Sequence, residues 1–153
     1  MARPSNGTRE KLINTAKDLI WTSSYGAVSV DDICSHAGVK KGSFYHYFPS
    51  KQDLAITALE EHFHEDVEPG LVAAFASNLP FHLKIEAFAD SILENKRKSL
   101  EQYGRVCGCP LAALGSEMIG DDEQIIVLKV EEMFAQCREW RPCPHIGQRD
   151  ALE

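Results

Sequence analysis

The chain has 153 residues and a formal net charge of −7, with 44% hydrophobic and 25% charged residues. That size allows one or two small helical domains with a proper core, and the overall acidity argues against a uniformly basic nucleic-acid binder. The charge is unevenly divided: residues 1–51 hold 7 Lys+Arg against 4 Asp+Glu, and residues 52–153 hold 9 against 19. Positive charge therefore gathers at one end, as expected if only that end meets phosphate. With no signal peptide and no apolar run long enough for a bilayer, the sequence predicts a cytoplasmic protein with no membrane partner. Its five cysteines are then expected to be reduced.

Met1 to Gly7 is polar and reads as a frayed start. From Thr8 to about Ser24, Leu12, Ile13, Ala16, Leu19 and Ile20 form one apolar stripe, with Arg9, Lys11 and Lys17 off it. The spacing predicts a helix that ends at Tyr25-Gly26.

The stretch Ser29 to Lys51, SVDDICSHAGVKKGSFYHYFPSK, predicts two short helices around a tight turn. Ser29 and Asp32 have the spacing of a capping box. Val30, Ile33, Cys34 and Ala37 give the first helix one apolar face, and Gly38 supplies a left-handed residue to end it. The second helix, Lys40 to Phe48, concentrates donors and rings. Pro49 keeps it short, and Ser50 with Asp53 caps the next helix. Helix, glycine turn and short donor-rich helix define a helix-turn-helix.

The chemistry suits DNA. A recognition helix needs side chains that reach base edges and donors for phosphates on its flanks. Lys40, Lys41 and Lys51 are candidate phosphate donors, and Ser29 stands at a helix N-terminus, where anions are favoured. Gly42 permits close backbone approach, beside the hydroxyl of Ser43. Tyr45, His46 and Tyr47 offer ring faces and polar tips to bases or phosphates. Phe44 and Phe48 are expected to be core.

These residues resemble the N-terminal DNA-binding domain of the TetR/AcrR family of transcriptional regulators. The resemblance rests on Thr22 to Gly26, Val30-Asp31-Asp32-Ile33, Ala37-Gly38-Val39, Lys41 to Phe48 and Ser50-Lys51. It covers roughly the first third of the chain. It implies a homodimeric repressor that binds a palindromic operator in double-stranded DNA and whose second domain holds a small effector.

From Ser50 a long helix carries Leu54, Ala58, Leu59, Phe63, Val67, Leu71 and Phe75, and Pro69-Gly70 is expected to break or kink it. His62 and His64, two residues apart, diverge on a helix and are expected on a solvated face. Pro80 starts a helix from Phe81 to about Tyr103, whose Lys96-Arg97-Lys98 suits a helix C-terminus. A short helix follows from Pro110 to Met118, stopped by Gly120, and another begins at Asp121-Asp122. Phe88, Ile92, Tyr103, Cys107, Cys109, Leu114 and Met118 are candidate lining for an effector pocket.

Cys107-Gly108-Cys109-Pro110 places Cys109 at a helix N-terminus, where the dipole favours thiolate. Cys107 or Cys109 is thus a candidate sensor of oxidants or electrophiles. The Cys-x-Cys spacing is not a usual zinc spacing, so no metal site is expected. No phosphate loop, nucleophile elbow or two-histidine metal motif is present, and neither an enzyme nor a cofactor is expected.

Amphipathic pattern stops near Trp140. Residues 141–153 depart from the family, whose members continue with two long helices that pair between subunits. The predicted organisation is all-α: a helix-turn-helix domain over 1–50, a truncated helical effector-binding and dimerisation domain over 51–140, and an irregular tail over 141–153. The function expected is a DNA-binding repressor released by a small ligand or by cysteine modification. The alternative is a shortened helical module that pairs with a full-length relative.

Overall fold

A computed structural model describes residues 6–117 and 124–139. Residues 1–5 of the expected polar arm, Met118, the Asp121-Asp122 helix start and the tail from Arg141 lie outside the described residues. Within them all regular structure is helical: α1 (Asn6–Thr22), α2 (Val30–Ala37), α3 (Lys41–Tyr47), α4 (Lys51–His62), a π-helical turn (Phe63–Val67), α5 (Glu68–Phe75), α6 (Phe81–Tyr103), α7 (Pro110–Glu117) and α8 (Gln124–Glu139). None of these helices is long and apolar enough to cross a membrane.

The stripe on α1 drives the packing. Leu12, Ile13, Ala16 and Ile20 are buried against Ile33, Leu54 and Leu59 from α2 and α4, with Phe44 and Phe48 closing the cluster from α3 and its end. Each large side chain so buried contributes roughly 1.5–3 kcal/mol. The same core continues into Leu114 of α7 and Ile126, Val130 and Met133 of α8. Lys17, expected off the stripe, is instead buried, its ammonium 3.1 Å from Glu65 and 3.6 Å from Glu61.

The break expected at Pro69-Gly70 is replaced by a wider turn just before it. The Glu68 N–H donates to the Phe63 carbonyl across the π-helical turn. Pro69 then falls in the first turn of α5, where its missing N–H costs no helical bond. Gly70 has a packing role. A Cβ there would come within 2.4 Å of Ser91 Oγ and 2.9 Å of Ser91 Cβ, so α5 and α6 approach closely at this point.

No residue of α6 is fully buried, and Phe81, Ile85, Ile92, Leu93 and Leu100 are exposed. Gly104, at φ 67°, ends this helix in the left-handed conformation. Lys96 does not serve the end of α6 as expected. Its ammonium donates to the carbonyls of Cys107 and Gly108, both at 3.0 Å, and so holds the loop before α7.

Candidate nucleic-acid interface and internal cavity

α2 starts on a complete capping box. The Asp32 N–H donates to Ser29 Oγ at 3.1 Å, and the Ser29 N–H donates back to Asp32 Oδ2 at 2.9 Å. Hydrogen bonds from the Ser29 hydroxyl and backbone hold the Asp32 carboxyl below its ordinary value. Gly38 ends α2 at φ 64°, its N–H directed to the carbonyls of Cys34 and Ser35. Only a residue at ease in that left-handed region turns the chain this sharply. Lys40 then caps α3, its carbonyl accepting from Ser43 at 2.8 Å and Phe44 at 3.1 Å.

α3 has two unlike faces. Phe44 is fully buried and Phe48 nearly so, whereas Lys40, Lys41, Gly42, Ser43, Tyr45 and His46 are exposed together with Ser29, and Tyr47 is half-buried. Gly42 has nothing within 4 Å of where a Cβ would stand. Lys41 pairs with Asp31 of α2, Nζ to Oδ1 at 2.8 Å, and that hydrogen-bonded carboxylate raises the Lys41 pKa.

Lys51 corrects an expectation. Its ammonium is turned inward, donating to the carbonyls of Tyr25 at 2.9 Å and Val28 at 3.0 Å and lying 3.9 Å from the centroid of the Tyr25 ring. Drawn into these contacts, Lys51 ties the α1–α2 turn to the start of α4 and does not present a free phosphate donor.

Behind this head, a cavity of about 1120 Å³ opens between the π-helical turn, α5, α6, the start of α7 and α8. Of the residues expected to line it, Phe88, Ile92 and Cys109 do. Leu114 is instead buried in the core. Tyr103 leaves the cavity to donate its hydroxyl to Asp18 of α1 at 2.7 Å; burial, with that carboxylate, pushes its phenol above the ordinary value. Cys107 is buried, with its N–H given to Ser99 Oγ at 3.2 Å. Cys109 is exposed.

Sequence reasoning missed His62, Phe63, Asp66, Asn95, Lys96 and Met133 at this cavity. His62 is not on a solvated face. Its ring lies 4.6 Å from that of Trp21, and Nδ1 is 2.7 Å from Asp66 Oδ2. Burial pushes the imidazole below its ordinary pKa despite the opposing carboxylate. His64 is exposed and pairs with Glu68 at 2.7 Å. The signal available was the i, i+4 spacing of His62 with Asp66. Among the described residues no group of three or more His, Cys, Asp or Glu is arranged to hold a metal.

A capped short helix, a left-handed glycine turn and an exposed donor-rich second helix braced by α1 make this end a helix-turn-helix of the DNA-binding kind. Residues 12–58 match the family model described as bacterial regulatory proteins, tetR family. It is 30% identical over 116 residues to the transcriptional repressor NemR of Escherichia coli K12, covering 72% of this chain and 54% of NemR. Over 60 residues it is 40% identical to the transcriptional regulator EthR of Mycobacterium tuberculosis, covering 39% of this chain and 28% of EthR. The solved regulatory protein TetR from Rhodobacter sphaeroides superposes with a TM-score of 0.67 at 28% identity, covering 85% of this chain and 68% of that one. The chain thus spans about half the length of its NemR relative.

Proposed function

We propose that the chain is a DNA-binding transcriptional repressor, working as a homodimer on a palindromic operator and released by a small molecule in the cavity. One observation carries this reading most: Lys40, Lys41, Gly42, Ser43, Tyr45 and His46 are exposed together on and beside α3, while Phe44 anchors it from the other side. The relatives named above are a transcriptional repressor and a transcriptional regulator, which supports the same role. A single helix-turn-helix reads few base pairs, so two half-sites bound by two copies are required for specificity. Enrichment of duplexes from a random pool tests this. An inverted repeat is expected to emerge, and a pool that stays unenriched contradicts it.

Modification of Cys109 is the second route of release. Cys109 is exposed at the start of α7 and lines the cavity, whereas Cys107 is buried. Cys109→Ser is therefore expected to abolish release from DNA by an alkylating maleimide, with Cys107→Ser retaining it. The reverse pattern contradicts this assignment.

The alternative, an interaction module pairing with a longer relative, draws support from Leu93 and Leu100 exposed on α6 and Leu128 on α8. Light scattering on the purified chain separates the readings: the repressor is expected as a dimer, the module as a monomer.

A further inference from the structure

The hydrogen-bonding groups around the cavity are unevenly committed. Its donors are largely given to the protein itself. Lys96 reaches two backbone carbonyls, at 3.0 Å each. Asn95 Nδ2 donates to the Asp66 carbonyl, and the Ser91 hydroxyl donates to the Phe88 carbonyl at 2.7 Å. His62 directs Nδ1 to Asp66 Oδ2; an ionised carboxylate only accepts, so the proton sits on that nitrogen.

Acceptors remain. Ser91 keeps its oxygen lone pairs, Asn95 its amide oxygen, and neutral His62 the lone pair of Nε2. Glu131 of α8 also lines the cavity, with no ion-pair partner among the described residues. Charge runs the same way among the described lining residues, with the carboxylates of Asp66 and Glu131 set against the ammonium of Lys96 and an imidazole whose charged form burial disfavours. The apolar wall includes Phe63 and the edge-to-face pair Phe75–Phe88, centroids 6.1 Å apart. Ring faces attract cations.

We infer that this cavity takes an aromatic cation, an apolar ring-bearing molecule with a protonated amine, and discriminates against the corresponding carboxylate. The inference rests on reading the cavity as the effector site, and it names the chemistry of that effector.

Three probes on one scaffold test it: 1-pyrenemethylamine, 1-pyrenemethanol and 1-pyrenecarboxylate, titrated with the full chain by pyrene fluorescence. The amine is expected to bind about tenfold tighter than the alcohol, with the carboxylate weakest. Glu131→Gln is expected to lower the amine-to-alcohol affinity ratio about fivefold, and Asp66→Asn repeats the test at the π-helical turn. A carboxylate that binds as tightly as the amine overturns the inference. So does a ratio unmoved in both variants, or the absence of saturable binding by all three probes. Binding is read directly, without DNA. An amine that binds with the expected ratio but leaves DNA affinity unchanged upholds the ligand class and removes the release step proposed above.

Discussion

Lys41 Nζ lies 2.8 Å from Asp31 Oδ1, joining the exposed face of α3 to the first turn of α2. Both side chains are solvent-facing, so the pair adds little to stability. In the proposed DNA complex its consequence falls on binding, because a phosphate would compete with Asp31 for the same ammonium. Asp31→Asn is therefore expected to tighten DNA binding about two- to fivefold without moving the melting temperature. Unchanged or weakened affinity in a DNA titration contradicts this competition.

Gly42 separates folding from recognition. Nothing in the protein stands within 4 Å of a Cβ placed there, and alanine is the better helix former by about 1 kcal/mol. Gly42→Ala is expected to preserve or raise the melting temperature while weakening DNA binding, since in the proposed DNA complex the added methyl would face the groove. A variant that loses stability, or binds DNA as before, contradicts that role.

Lys51 behaves in the opposite sense to Lys41. Its ammonium serves two backbone carbonyls and the Tyr25 ring. Lys51→Met is expected to destabilise the fold by about 1–3 kcal/mol through the lost ammonium hydrogen bonds and ring contact. Lys41→Ala is expected to leave the melting temperature unchanged. Parallel thermal unfolding of the two variants checks the contrast.

His62 makes stability depend on pH. Its folded pKa is lowered from the ordinary 6.5 by burial, so the unfolded chain binds the proton more readily than the folded one. The folded state is then favoured above pH 6.5 and loses stability as pH falls below it, until folded His62 is protonated as well. Asp66 opposes the shift, and Lys17 and Lys96 reinforce it. His62→Phe keeps a ring against Trp21 without the titration. Its loss of melting temperature between pH 7.5 and 5.5 is expected to be smaller than in the parent chain, and an equal loss contradicts the assignment.

What the sequence disclosed follows from the range of the interactions. Ser29 with Asp32, and Gly38, act within a few residues, so α2, the turn and α3 were legible from spacing. The alternation of Phe44 and Phe48 with Lys41, Tyr45 and His46 likewise marked the two faces of α3. Lys51 was misread because its partners, Tyr25 and Val28, are 26 and 23 residues away, and a lysine beside a recognition helix otherwise reads as a phosphate donor. His62 was misread because its ring partner, Trp21, comes from α1, far away in sequence. Tyr103 and Leu114 belong with the right elements but turn towards α1 and the core, a choice made by tertiary packing.

The central claim is that α3 meets DNA through its exposed face, and the salt dependence of binding tests it most directly. Affinity for an enriched duplex would be measured between 50 and 200 mM salt for the parent chain, Lys41→Ala and Tyr45→Ala. A steep linear fall of log affinity with log salt is expected, reduced by about 0.9 in slope by Lys41→Ala. Tyr45→Ala should weaken binding with the slope unchanged. Binding that is insensitive to salt, or that survives both substitutions intact, would contradict it.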